Sequence, residues 1–339
     1  MKTSKRILAL LIAIVMAAVV LAACGEEPPP PPQEDPAQQE PAPAPPAEEP
    51  EAPEEPEAPE EVSNYDLGLI GVSLFSLDIP FPLATYEGVN RAAADFGAQI
   101  FVADNLNDIA KNTSDIEDLM AAGMVGLIVM PVDSEAVAPV VLDVMAEGIP
   151  VIAVNRWVAG VDVDVWIGTD NYDAGKAKGE RFMELVDEGT RIIILEGTPG
   201  AGSGIDRLAG FTYVTEGRVE VLASQTANFN RVDGMHVSEN LLVAHPDAQV
   251  IVAMNDEMAL GAVEAAIAAG RTPGEDIFIT GFDGMGGARE AVADGYMLFT
   301  VFQDPEGMGY LAIEVMLGIL RGETFPPIIG FDIGFVERD

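Results

Sequence analysis

Six or seven short apolar runs in this chain end on residues able to donate, accept or stack. One ends at Ser73 and continues into Asp78-Ile-Pro-Phe81, and another ends at Asn155-Arg156-Trp157. A Gly-rich turn over 200–204 leads to Asp206 and Arg207, and a further run ends near Asn228-Phe229. The others end at Asn255-Asp256, Phe282-Asp283 and Gln303. Arginine donates in a planar fork, carboxylates accept, Asn and Gln do both, and aromatic faces cover C–H surfaces. That set suits a ligand with many hydroxyls and apolar ring faces. Each member also has a plainer reading. Asn255 and Asp256 can cap a helix over 257–268, Phe282-Asp283-Gly284 can be an ordinary turn, and Arg156 and Arg207 can be surface charges. The agreement of so many strand ends favours the ligand.

Bond-making chemistry finds no comparable set. The stretch Gly197-Thr-Pro-Gly-Ala-Gly-Ser-Gly204 lacks the Lys-Ser/Thr of a phosphate loop, because Ile205 follows. The same Ile205 stands where a dinucleotide fingerprint needs its third glycine. The two histidines, His236 and His245, form no HExxH pair, and no Gly-x-Ser-x-Gly elbow occurs. One cysteine excludes an intrachain disulfide and any CxxC site. The chain reads as no enzyme, with no cofactor and no metal.

The positioning elements alternate. Strands are expected over 67–73, 99–103, 126–130 and 150–155, with helices over 83–96, 109–122 and 135–146 between them. A hairpin-like 163–168 follows. Helices over 172–186, 203–216, 232–244, 257–268, 287–293 and 306–321 then interleave with strands over 191–195, 219–225, 249–253, 277–282 and 298–302. A last strand is expected near 331–336. Short apolar runs between amphipathic helices signal βαβ units and buried parallel sheets. About a dozen strands exceed one comfortable sheet, so the fold class is α/β with two doubly wound parallel-sheet lobes. Ligands of such sheets sit beyond the carboxyl ends of the strands, where the polar residues stand.

The 339 residues carry a net charge of −39, which repels phosphate backbones and excludes a nucleic-acid partner. Residues 25–61 hold 14 of the 25 prolines and 13 acidic residues, with no Lys or Arg. Such a segment buries too little to offset ordering entropy and reads as a disordered, extended tether. Before it, Lys2, Lys5 and Arg6 precede an unbroken apolar run over 7–23 that ends Leu21-Ala22-Ala23-Cys24. That is a secretory signal peptide.

Leu21-Ala-Ala-Cys24 resembles the bacterial lipoprotein signal, which implies cleavage after residue 23 and a lipid on Cys24. The folded part resembles the sugar-binding type I periplasmic binding proteins. The resemblance rests on Val-Ser73-Leu-Phe-Ser-Leu-Asp-Ile-Pro-Phe81, Val-Ile-Ala-Val-Asn155-Arg156, Ala223-Ser-Gln-Thr-Ala-Asn-Phe229 and Asn240-Leu-Leu-Val-Ala-His-Pro-Asp247. Gly281-Phe-Asp-Gly284 adds to it, and Asn255-Asp-Glu-Met-Ala-Leu-Gly-Ala262 is its most specific part. It implies a monomeric solute receptor for an ABC importer permease, closing on one sugar or sugar derivative through a three-segment hinge. The implied lobes are 66–169 plus 304–332 and 170–303 plus 333–339, on a tether over 24–61.

The implied ligand contacts are Ser73, Phe81, Asn155, Arg156, Arg207, Phe229, Asn255, Phe282, Asp283 and Gln303. The ribose-binding pattern is broken at four places: Ile79 and Met130 each stand where it has Asn, Pro82 where it has Phe, and Asn155 where it has Asp. Asn155 leaves Asp283 alone against Arg156 and Arg207, so the pocket either holds another acid, with Asp78 one candidate, or expects negative charge from its ligand. Trp157 is expected to add an apolar face nearby. Two other functions share this fold. A sugar-responsive repressor would need a basic N-terminal helix-turn-helix, where this chain has a signal peptide. A sensor docking on a membrane kinase or chemoreceptor is not separated from an importer receptor by sequence.

Overall fold

The computed structural model describes residues 64–338; Cys24, the signal peptide and the tether lie outside the described residues. A short 3-10 turn, Asn64–Leu67, opens the described chain. Then come β1 (Leu69–Leu74), α1 (Pro80–Phe96), β2 (Gln99–Asp104), α2 (Ile109–Ala121), β3 (Gly126–Met130), α3 (Ala138–Ala146), β4 (Val151–Val154) and β5 (Val165–Gly168). The second half begins with α4 (Asn171–Leu185), β6 (Arg191–Glu196), α5 (Gly202–Thr215), β7 (Glu220–Thr226) and α6 (Arg231–Ala244). It continues with β8 (Val250–Ala253), α7 (Asp256–Ala268), β9 (Phe278–Asp283), α8 (Gly286–Ala293) and β10 (Phe299–Phe302). Last are α9 (Pro305–Leu320), β11 (Ile328–Gly330) and β12 (Gly334–Glu337).

The strands form two six-stranded sheets, ordered β11-β5-β4-β3-β1-β2 and β12-β10-β9-β8-β6-β7. All neighbours run parallel except β12, which is antiparallel to β10. Helices cover both faces, so every residue of β3, β4 and β8 is buried and each reads as an unbroken apolar run. The two-residue alternation still assigns sides. Ile128 and Met130 join Val89 of α1 and Met308 of α9 on one face, while Leu127 and Val129 join Ile116 of α2 and Val140 of α3 on the other. The chain passes between sheets three times, after β5, after β10 and after β11.

Two expectations are corrected. The hairpin-like 163–168 is a parallel strand, β5, paired with β4 and β11. A hairpin reverses direction at the far end of its first strand. Here the loop instead returns the chain to the start of β4, where the Asp164 carboxylate accepts from Val151 N at 2.8 Å. The last strand expected near 331–336 is β12, and ahead of it lies a short strand that the sequence did not point to, β11, in the other sheet. Phe331 still donates its N–H to the Gly168 carbonyl at 2.8 Å, and the chain then crosses.

Two helix pairs in the second lobe meet backbone to backbone on glycine. On α4 and α5, a Cβ at Gly175 would collide with the Arg207 carbonyl and one at Gly210 with the Tyr172 carbonyl. On α6 and α7, a Cβ at Gly261 would collide with the Arg231 carbonyl. The α4–α5 contact holds Asn171 and Arg207 side by side. Gly210→Val is therefore expected to destabilise the fold by about 1–3 kcal/mol, the usual overpacking range. A thermal melt should fall by roughly 2–4 °C for each kcal/mol. An unchanged melt would mean that the two helices separate freely.

Candidate functional site

The carboxyl ends of the two sheets face one another across a cavity. Phe75, Ile79, Phe81, Asn155 and Arg156 line it from the first lobe; Ser203, Arg207, Phe229, Asn255 and Asp283 line it from the second. Around its rim the lobes touch directly. Ser134 N donates to Gly200 O at 3.0 Å, Gly202 N donates to Ser134 Oγ at 3.2 Å, and Trp157 Nε1 donates to Asp206 Oδ2 at 2.7 Å.

On the first wall, Asn155 has φ 58°, a left-handed conformation that asparagine tolerates better than most residues. Its carbonyl and its Oδ1 both accept from Asn171 Nδ2, at 3.1 and 3.2 Å. The turn delivers Arg156, whose Nη1 donates to Pro131 O at 2.7 Å and Val132 O at 3.2 Å. Its Nε reaches across to Ser203 Oγ at 3.3 Å. The guanidinium sits 3.7 Å over the Phe75 ring and 5.5 Å from Phe229, so one aromatic from each lobe flanks it. Burial, then repulsion from Arg207, pushes its pKa down to about 9 despite the pull of Asp283.

On the second wall, Ser203 and Arg207 are one helical turn apart on α5. Arg207 Nε donates to Asn171 Oδ1 at 2.8 Å, and Nη1 donates to Met254 O at 2.9 Å and Asp283 Oδ1 at 3.1 Å. Its guanidinium lies 3.8 Å over Phe282. Asn255 caps α7, its Oδ1 accepting from Met258 N at 2.9 Å, while its Nδ2 donates to Phe229 O at 3.1 Å. Capping and lining are thus one residue's two roles. Gln303 Nε2 donates to Asp283 Oδ1 at 2.9 Å. Burial raises the Asp283 carboxyl to about 6, against the opposing pull of Arg207 and Gln303.

Among the described residues, Nη2 of both arginines and Oδ2 of Asp283 make no hydrogen bond to protein. One N–H of Asn255 Nδ2 is also spare. Spare charged donors, a spare carboxylate oxygen and three phenylalanine rings can grip hydroxyls and C–H faces together.

Seven of the ten residues expected from sequence line the cavity: Phe81, Asn155, Arg156, Arg207, Phe229, Asn255 and Asp283. The other three stand one layer back. Ser73 Oγ is held by Asn105 and Asn112, Phe282 lies under Arg207, and Gln303 orients Asp283. Met130 is buried in the first-lobe core, Asp78 is exposed, and Trp157 ties the rim to Asp206 without adding a face to the cavity. Phe75 and Ser203 join the wall without having been singled out. A second acid, Asp256, lies behind Asp283 and off the cavity wall, where it accepts from Thr300 Oγ1 at 2.6 Å and Met285 N at 2.7 Å. Burial, then Asp283, raises its carboxyl well above the ordinary range, so it does not supply the charge that Asn155 leaves missing. A cation that sequence reasoning missed, Lys178, is buried beside it.

Residues 70–324 match the periplasmic binding protein domain family. The Ribose import binding protein RbsB of Bacillus subtilis (strain 168) is 36% identical over 254 residues, 75% of this chain and 82% of that protein. The protein of the same name from Haemophilus influenzae is 37% identical over 270 residues, 79% of this chain and 91% of that one. Among solved structures, the Caulobacter myo-inositol binding protein bound to myo-inositol superposes with a TM-score of 0.76 at 28% identity, covering 81% of this chain and 95% of that one. An ABC transporter solute binding protein from Mycobacterium smegmatis with bound glycerol gives 0.75 at 32% identity, covering 80% and 94%. These relatives are substrate-binding proteins and not enzymes. The chain belongs to the periplasmic binding protein family, in its type I sugar-binding branch.

Proposed function

We propose that this chain captures a monosaccharide-sized polyhydroxyl solute between its lobes and presents it to the permease of an ABC importer. The observation that carries the reading is the cavity itself. The space between the sheet ends is lined by three phenylalanines, two arginines with an unused nitrogen each, Asn255 and Asp283. The relatives support it, since their names and bound molecules are ribose import, myo-inositol and glycerol. Ile79 and Asn155 in the wall narrow the ligand to a solute less hydroxylated than ribose, or one carrying a carboxylate. The lobes 66–169 plus 304–332 and 170–303 plus 333–339 close on it as two bodies, populations shifting toward the closed state as both walls gain contacts.

A thermal-shift screen of the full chain against pentoses, hexoses, deoxysugars, sugar acids and polyols tests the reading. At a hundred times its Kd, a ligand adds roughly 2.7 kcal/mol to the folded state. Ribose as the tightest hit overturns the narrowed specificity alone; no stabilisation by any of these overturns the sugar reading.

The chain is held outside the cell by a lipid on Cys24 and stands off the membrane on its acidic proline-rich tether. Several acyl chains bind durably because each buried CH₂ contributes roughly 0.8 kcal/mol. Cys24→Ser is expected to leave the detergent phase on phase partitioning. Equal partitioning of the two forms would sink the anchor.

A further inference from the structure

Lys178 is fully buried in the second lobe, on the stripe of α4 that also buries Asn171, Ala174, Gly175, Gly179 and Phe182. Its Nζ donates to two carbonyls, Ala253 O at 2.5 Å and Gly281 O at 3.0 Å. Those carbonyls belong to adjacent strands. The β8–β9 ladder has its last rung at Val252 with Thr280, and Ala253 and Gly281 are the next residues along. Two residues further on each strand stand Asn255 and Asp283, which both line the cavity. One ammonium therefore bridges the strand ends where ladder pairing stops, immediately beneath two ligand-facing side chains.

Three charged groups face it, one from each neighbouring element that carries charge: Asp256 at the start of α7, Asp283 at the end of β9 and Arg207 on α5. Asp256 packs so closely on Gly281 that a Cβ there would collide with its Oδ1. The site thus contains three basic side chains, Arg156, Arg207 and Lys178, and two acids, Asp283 and an Asp256 whose carboxyl is raised well above the ordinary range by burial and by Asp283.

We propose that Lys178 is a positioning residue for ligand capture, its ammonium setting the spacing of Asn255 and Asp283 and its charge supporting the Asp283 carboxylate. The inference rests on the ligand reading of the cavity. A methionine would fill the same stem volume, so what lysine adds is donors and charge. The donors bind the strand ends. The charge lowers the pKa of Asp283, which burial alone pushes up. Burial drives Lys178 itself down to about 7, so its support is strongest below neutrality, where Asp283 would otherwise be protonated.

The test separates donors from charge. The full-length wild type, Lys178→Met and Lys178→Gln are titrated calorimetrically with D-ribose, myo-inositol and the strongest hit of the screen, from pH 5 to pH 8.5. Circular dichroism checks the fold. In the wild type, affinity falls as pH drops through about 6, as Asp283 takes its proton. Lys178→Met is expected to bind at least tenfold more weakly at pH 8, with its acid limb moved up by roughly one unit. Lys178→Gln restores donors without charge, so it regains affinity at pH 8 and keeps the displaced limb. Equal loss at every pH, with an unmoved limb, marks a mere strut and overturns the proposal. Wild-type behaviour of both variants, or failure of both to fold, also overturns it, while the ligand reading survives. If the wild type binds none of the probes, the ligand reading fails and this inference goes with it.

Discussion

Asp283→Asn is expected to weaken ligand binding about a hundredfold and to destabilise the ligand-free protein as well. The binding loss follows from what the carboxylate has left to offer. Its Oδ1 is occupied by Arg207 at 3.1 Å and Gln303 at 2.9 Å, and Oδ2 is free for hydroxyls among the described residues. A hydrogen bond to a charged group contributes about 1.5–3 kcal/mol, and each 1.4 kcal/mol is about tenfold in affinity. The stability loss follows from where the partners sit. Asp283 and Arg207 belong to the same lobe and are nearly fully buried, so their ion pair does not depend on contact between the lobes. Breaking a buried pair typically costs about 3–5 kcal/mol; asparagine keeps an acceptor for Arg207, which places this variant toward the lower figure. A ligand-only role, the simplest reading of the strand end, would have left stability untouched. The pH dependence has a definite sign. Burial raises the carboxyl to about 6, so the binding form is present above that pH and is lost as pH falls through it. The wild type should show that acid limb in calorimetry and Asp283→Asn should not. Wild-type affinity in the variant would mean the ligand sits elsewhere.

Much of this site was legible because strand ends in a parallel sheet are forced to the ligand side. Asn155, Asn255 and Asp283 needed only the alternation of apolar runs and helices to be placed there. What alternation does not give is which way the last side chain turns. Phe282 and Asp283 are neighbours with opposite fates, one under Arg207 and one in the cavity, and Asp283 reaches its place with φ 118°. That backbone conformation is costly for a non-glycine residue and carries no composition signal. Ser73 is drawn inward by Asn105 and Asn112, partners 32 and 39 residues away. Trp157 is likewise committed to a rim contact with a residue 49 positions on. Lys178 was the readable miss. It falls in step with Asn171, Ala174, Gly175, Gly179 and Phe182, a spacing of three and four that marks it as inward-facing on its helix. A lysine on a buried stripe was the available signal. The short β11 left no such trace, since a three-residue strand with exposed ends shows neither an apolar run nor a clear alternation.

Arg156→Met should separate binding from stability in a way the Asp283 variant does not. Arg156 is the first lobe's charged contribution to the cavity, and no carboxylate among the described residues lies within ion-pairing distance of it. Its pKa near 9 reflects burial and the nearby Arg207, so holding this guanidinium buried between the lobes is electrostatically unfavourable until something accepts from it. The protein supplies carbonyls at 2.7 and 3.2 Å, the Ser203 hydroxyl at 3.3 Å and two aromatic faces, and the remaining Nη2 is left for the ligand. Methionine keeps much of the stem's packing between Phe75 and Phe229 and removes the charge. Two stability effects then oppose one another. Three hydrogen bonds are lost, to Pro131 O, Val132 O and Ser203 Oγ, each a net contribution of roughly 0.5–3 kcal/mol, and the penalty of burying an under-compensated charge is relieved. They should nearly cancel, leaving the melting temperature close to wild type. Affinity has no such offset, and a ten- to hundredfold loss is expected by calorimetry. Small-angle scattering adds the conformational half of the test. The wild type should contract when ligand bridges the lobes, whereas Arg156→Met at the same ligand concentration should keep its ligand-free profile. A variant that melts far below wild type, or that binds and contracts normally, would show that Arg156 serves the fold and not the ligand.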